Sequence, residues 1–196
     1  MIIHIDGPIC SGKSTLAKKL AKNKNYFILD LDKIWDNEFL KYLKKYNLKS
    51  IAREENENVI KIADKNSKIM LNKYLEKNKK KHVILIGFGI DVSDIKGLIK
   101  YGLNIDFETL YRRCIKRTLS RFVKYEKHIN KLIDKEENIN NIDFFLRHKL
   151  SIRVSQPHPP WVLKNSNDDK INFLINNGYK FFEYDDLYQE IITKYV

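Results

Sequence analysis

The stretch Gly7-Pro8-Ile9-Cys10-Ser11-Gly12-Lys13-Ser14 matches the pattern G-x-x-x-x-G-K-[S/T] at every fixed position, and Thr15 follows it. Each fixed residue has a chemical reason. Gly12 permits a backbone bend that aims several N–H groups inward, which makes an anion nest at the positive end of a helix starting near Lys13. Lys13 is a point charge long enough to reach β and γ phosphates, and the Ser14 hydroxyl suits a magnesium ion bridging them. The stretch Gly7, Pro8, Ile9, Cys10, Ser11, Gly12, Lys13, Ser14 and Thr15 is therefore expected to cradle a nucleoside triphosphate. Cys10 has two readings: a thiol activated by the helix terminus, or a small residue that fits the loop.

The flanks agree with this. Met1 to Asp6 is an apolar run feeding directly into Gly7, and Leu16, Ala17, Leu20 and Ala21 continue a helix after the loop. Tyr26 to Leu31 reads as a second strand with an acidic end, Asp30 and Asp32. Trp35, Phe39, Leu43 and Tyr46 fit one apolar helix face, and a further helical pattern runs from about Ile51 to Lys77. Val83 to Ile86 is an uninterrupted apolar run, predicted to be a strand buried on both faces and followed by a turn over Gly87 to Asp91. A fourth strand is predicted at Leu103 to Phe107, with a helix from near Glu108. Asp168 and Asp169 are predicted to cap a helix that Gly178 stops, before a strand at Tyr179 to Glu183 and a last helix. Strands alternating with helices predict an α/β fold of about five mainly parallel strands with helices on both faces. Ligands of such sheets sit at the carboxyl ends of the strands, where the loop, the Asp30/Asp32 pair and the Gly87 to Asp91 turn would gather.

Bulk composition bounds the rest. The chain has 196 residues, 43% hydrophobic and 12% aromatic, enough for one ordinary core despite 32% charged residues. Only two cysteines are present, outside any metal-ligand spacing, so no disulfide framework is expected. No apolar stretch has the roughly 20 residues needed to span a bilayer, and no cleavable leader is read at the start, so a soluble, cytoplasmic protein is expected. The net charge of +12 invites a nucleic-acid partner, but the lysines are spread along the chain as abundant surface residues. Nucleic acid is accordingly not favoured.

The terminal P-loop, the Asp30-Leu31-Asp32 end of the second strand and the arginine helix after strand four together resemble the P-loop nucleoside and nucleotide kinase group. That group includes shikimate, gluconate, dephospho-coenzyme A and adenylate kinases. The resemblance covers the whole length in outline and implies a three-layer kinase-like sandwich with a lid. It would be a single domain over 1–196, with an acceptor-binding helical region at about 33–80 and a lid at about 122–167. By the same resemblance Asp32, with Asp30 second, faces the acceptor hydroxyl and takes its proton; the bland alternative is that Asp32 caps the following helix. Arg113, Arg117 and Arg121 share one helical face by their spacing. The resemblance makes Lys13, Asp32, Arg117 and Arg121 catalytic, with Arg113 on the nucleotide. A basic solvated face is the alternative for the arginines. Trp35, Arg53 and Tyr74 lie in the region of the acceptor pocket, although such aromatics are more often core.

In that group an aspartate often ends strand three to support magnesium, whereas this chain has Gly87-Phe88-Gly89-Ile90-Asp91. Asp91, displaced by a few residues, or Asp32 would join Ser14 there. The expected activity is ATP- and magnesium-dependent transfer of a γ-phosphoryl group to a small acceptor, a nucleoside, nucleotide or other hydroxyl compound. The alternatives are a polynucleotide 5′-hydroxyl kinase and, from another class, a nucleotide-binding switch or hydrolase. Against the last, the chain has no N-K-x-D signature.

Overall fold

The apolar run at the amino terminus forms β1 (Ile2–Asp6), in which residues 3–6 are all buried. In this computed structural model, which describes residues 1–23, 26–45, 57–134 and 160–195, β1 is the middle strand of a five-stranded sheet. The chain continues through α1 (Lys13–Asn23), β2 (Tyr26–Asp30), α2 (Leu31–Lys45), α3 (Glu57–Lys77), β3 (His82–Ile86) and β4 (Leu98–Leu103). It then forms α4 (Phe107–Asp134), α5 (Pro160–Asn176), β5 (Lys180–Phe182) and α6 (Tyr184–Tyr195). The strand order is β2-β3-β1-β4-β5, and every described pairing is parallel. β1 pairs with β3 through Ile3↔Ile84 and Ile5↔Ile86, and with β4 through Ile3↔Ile99 and Ile5↔Tyr101.

Alternation along the strands divides the core between the two faces. Ile3, Ile5, Ile84 and Ile86 pack with Leu16, Ala17 and Leu20 of α1 and Leu187 and Ile191 of α6. Val83, Leu85 and Leu29 face the other way, against Leu71 of α3, Leu31 and Ile90. Both faces of β3 are thus covered by helices, as its unbroken apolar run predicts. The expected α/β architecture of five parallel strands with helices on both faces is what the chain adopts.

Two sequence-based boundaries need correction. The fourth strand spans Leu98–Leu103, not 103–107. Lys100 and Gly102 broke the apolar pattern, yet both belong to the strand. The Lys100 ammonium leaves the sheet to donate to Asn177 O at 3.2 Å, and Gly102 makes room for the Phe181 ring, which an added Cβ would meet at 2.8 Å. Asn104 to Asp106 is instead a connection, where Asp106 accepts from Thr109 N at 2.9 Å and caps α4. Asp168 and Asp169 are no caps; they lie inside α5, which starts at Pro160, a residue suited to the first helical position. The lid expected over 122–167 is helical at both ends, as the end of α4 and the start of α5, and residues 135–159 lie outside the described ones. Gly178, at φ 77°, does terminate α5 as expected.

Candidate active site

The loop between β1 and α1 is shaped by backbone conformations that few residues adopt. Gly12 has φ 105°, and Cys10, at φ 63°, is the one non-glycine residue with positive φ among the described residues. Ser11 N donates to Pro8 O at 3.2 Å, and Thr15 N and Leu16 N both donate to Gly12 O at 2.9 Å, which starts α1. The Lys13 ammonium turns back over the loop and donates to Gly7 O and Pro8 O at 2.7 and 2.8 Å. Burial pushes this ammonium below its ordinary lysine value, and the nearby Asp6 and Asp32 carboxylates oppose that. Ser11 is 2% exposed, and its Oγ is buried without a hydrogen-bond partner in the protein. An inward-bent loop with a cation, a helix amino terminus and an orphaned buried hydroxyl has the chemistry of a polyphosphate cradle.

The acidic pair at the end of β2 has divided roles. Asp30 precedes α2, and its Oδ1 accepts from Lys33 N at 3.1 Å, which makes Asp30 the helix cap. Asp30 Oδ2 lies 3.3 Å from Lys33 Nζ. Asp32 is consequently not needed as a cap and is held from across the sheet. Its Oδ1 accepts from both Phe88 N and Gly89 N at 2.8 Å. The two glycines of the turn after β3 are what make this possible. An added Cβ at Gly87, at φ 92°, would sit 2.5 Å from Asp32 Oδ2, and one at Gly89 would meet Asp32 Cα at 3.0 Å. The departure Gly87-Phe88-Gly89 is therefore a clasp for Asp32.

The other expected site residues fall into three groups. Arg113 and Arg117 do reach the loop: Arg113 Nη1 donates to Ser11 O at 3.4 Å, and Arg117 Nη1 lies 3.7 Å from Cys10 Sγ. Asp91 and Trp35 are engaged elsewhere. The Asp91 carboxylate accepts from Ser93 N and Ser93 Oγ, both at 2.9 Å, and the Ser93 N–H bond holds it below the usual aspartate value. Trp35 Nε1 donates to Asp64 Oδ1 at 2.6 Å, and its ring stacks on Phe39 at 4.9 Å, so this indole joins α2 to α3. Arg53 and the side chain of Arg121 lie outside the described residues.

Ser14 and Asp30 line one cavity of about 460 Å³ with Lys18, Lys33, Asn37 and Tyr74. A hydroxyl and a carboxylate are the hard oxygen donors that magnesium takes, the rest of its shell being phosphate and water. The donor set fits that ion as a companion of a bound triphosphate. No group of three or more His, Cys, Asp or Glu side chains able to hold a metal by themselves occurs among the described residues.

Several residues of the site were not singled out from the sequence. Asp6, at the last position of β1, is 1% exposed; its Oδ1 accepts from Gly7 N at 2.8 Å, and its Oδ2 pairs with Lys170 Nζ at 2.6 Å. Lys170 comes from α5 and lies 3.5 Å from the centre of the Phe88 ring, so it joins α5 to β1 and to the Asp32 clasp. His4, buried in the same strand, bonds Gly87 O through Nε2 at 2.7 Å and Tyr179 Oη through Nδ1 at 2.6 Å. A carbonyl only accepts, so Nε2 carries the proton and Nδ1 accepts from the tyrosine. Burial pushes the His4 pKa below 6.5 and keeps the ring neutral. A charged residue ending an otherwise apolar strand was the available signal for Asp6; nothing local marks Lys170.

No helix among the described residues is long and apolar enough to cross a membrane. A comparison with curated protein sequences finds no match. Among solved structures, the shikimate kinase from Bacteroides thetaiotaomicron is similar at 19% identity, over 89% of this chain and 98% of that chain, with a TM-score of 0.36. A family model described as an AAA domain matches residues 3–134, which takes in the loop, both aspartates, the Gly87 turn and α4. The chain belongs to this AAA-domain family, a P-loop NTPase family that includes kinases.

Proposed function

We propose that this protein is a phosphotransferase that uses ATP and magnesium to phosphorylate the hydroxyl of a small acceptor, a nucleoside, a nucleotide or another hydroxyl compound. The observation that carries this reading is the position of Asp32. Asp30 caps the helix, and Asp32 is clasped by Phe88 N and Gly89 N close enough to Lys13 for its charge to act on the ammonium. A nucleotide switch needs the phosphate cradle and one carboxylate for its magnesium; a second, separately oriented carboxylate serves an acceptor hydroxyl.

The roles follow from the chemistry of each group. Loop N–H groups and Lys13 bind and align the β and γ phosphates, with Lys13 exchanging its Gly7 and Pro8 carbonyl partners for phosphate oxygens. Ser14 and Asp30 would hold the magnesium, whose charge offsets that of the phosphates when bound. Asp32 Oδ1 is fixed by its two N–H bonds, which leaves Oδ2 to orient the acceptor hydroxyl and accept its proton. Arg113 and Arg117 bring positive charge to the rim of the loop, where it stabilises the charge spreading over the transferred group. We read the chain as one such domain, with about 33–80 forming the acceptor side, about 122–167 the lid, and the cytoplasm as its compartment.

The test is an acceptor panel with labelled ATP and magnesium: nucleosides, nucleoside monophosphates, hydroxy acids and 5′-hydroxyl oligonucleotides. Label transferred to one small-molecule class supports the proposal. Transfer to oligonucleotides alone replaces it with a polynucleotide kinase. ATP hydrolysis without transfer to any acceptor replaces it with a hydrolase or switch.

A further inference from the structure

We infer that Cys10 and Cys114 form a thiol–disulfide site, oxidised by peroxides, that ties the phosphate loop to α4. Both cysteines are free and half-buried. Cys10 is the loop residue held at φ 63°, and Cys114 lies in the first turns of α4. Cys10 is the largest influence on the Cys114 thiol, which sets the two side chains within reach of each other. Two further contacts, from residues on either side of Cys114, bring the same stretch of helix to the loop. Arg113 Nη1 reaches Ser11 O at 3.4 Å, and Arg117 Nη1 lies 3.7 Å from Cys10 Sγ. The thiols are therefore held together by the docking of the helix on the loop. A disulfide requires the sulfurs to close to about 2.05 Å.

The two sulfurs are chemically unequal. The influence of Cys10, with burial, pushes the Cys114 thiol up, so Cys114 keeps its proton. Cys10 has Arg117 Nη1 3.7 Å from its sulfur, a cation placed to stabilise the thiolate that attacks peroxide. In the reaction with hydrogen peroxide, the Cys10 thiolate attacks one peroxide oxygen and the O–O bond breaks. Cys10 becomes a sulfenic acid, and hydroxide leaves as water after protonation. The Cys114 sulfur then attacks the sulfenic sulfur; the S–S bond forms, the S–O bond breaks, and the Cys114 proton departs with the oxygen as a second water. Two thiols lose two electrons and one peroxide gains them. A dithiol reductant reverses the step by exchange.

The consequence for activity rests on the nucleotide reading above; the crosslink itself does not. A loop residue bonded to α4 can no longer adjust with its neighbours around phosphates, and Arg117 is confined with it. Triphosphate binding by the oxidised protein is expected to fall on the order of tenfold, and dithiothreitol to restore it.

The experiment treats the full-length reduced protein with hydrogen peroxide, alkylates the remaining thiols, and reads the intact mass and non-reducing peptide map. Titration with a fluorescent ATP analogue runs in parallel. The expected result is loss of two hydrogens, a Cys10 peptide linked to a Cys114 peptide, and weaker binding, all reversed by dithiothreitol. Cys114→Ser should bind the analogue like the parent when reduced and give no crosslink. Both cysteines still alkylatable after peroxide, or links only between chains, would overturn the site. A crosslinked protein that binds as tightly as the reduced one would overturn its effect on the loop. If the reduced protein binds no triphosphate, the nucleotide reading fails, while the mass readout still decides the disulfide.

Discussion

The phosphate loop and the α2–α3 region are built on different principles. The loop works through its backbone: bent glycines, N–H groups at a helix start, and one lysine. The α2–α3 region is built from side chains that hold one another, Trp35 on Asp64 and Phe39, and Asn66 on Tyr42. A backbone device tolerates few sequences and advertises itself. A side-chain device can be assembled from many combinations, so its ligand is not written in its pattern. That contrast explains why the donor is the better-defined half of the proposed reaction.

The contrast can be broken or sharpened by substitution. Lys13→Met should cost the most, lowering transfer by about three orders of magnitude, because it removes the ammonium that lies over an otherwise backbone cradle. Steady-state rates checked against an unchanged circular-dichroism spectrum would test it; a loss below tenfold would mean that the backbone suffices. Lys170→Met comes next and acts on stability, since it leaves Asp6 buried and unpaired at a cost of about 3 kcal/mol. Urea unfolding measures this, and an unchanged midpoint would show that Asp6 finds another partner.

Asp32→Asn should reduce turnover about a hundredfold while ATP affinity stays within about twofold. Equal losses in both would move Asp32 to the donor side. Arg117→Ala is expected to lower transfer about tenfold and ATP affinity less. A change confined to affinity would confine that arginine to binding.

The smallest effect concerns pH. The folded pKa of His4 lies below 6.5, so the unfolded chain takes up the proton first. The stabilisation is complete above pH 6.5 and is lost as pH falls through the folded value. Melting temperatures recorded from pH 8 to pH 5 should decline on the acid side, and His4→Gln should flatten that limb while lowering the plateau. An identical slope in the variant would assign the decline to other groups.

The sequence carried much of this fold. The unbroken run at residues 83–86, the apolar lead into Gly7 and the stop at Gly178 each state a local rule that the structure obeys. Errors arose where a rule was satisfied through tertiary contacts. Lys100 belongs to a strand because its ammonium finds Asn177 O, and Gly102 because Phe181 lies against it. Within the site, the phosphate loop was legible because its chemistry is contiguous. The division of labour between Asp30 and Asp32 was not, since only the turn after β3, more than fifty residues on, shows which carboxylate is clasped. Lys170 was invisible for the same reason: its partner Asp6 lies 164 positions away.

The folded-back lysine gives the loop a built-in competitor. Gly7 and Pro8 carbonyls already satisfy the Lys13 ammonium, so an arriving anion gains only the difference between its own bonds and those two. A lone phosphate or sulfate, offering one group of oxygens, recovers little by that trade. A chain of phosphates that also fills the N–H nest recovers far more. On the proposed reading, the loop selects by ligand length before any base or acceptor is recognised.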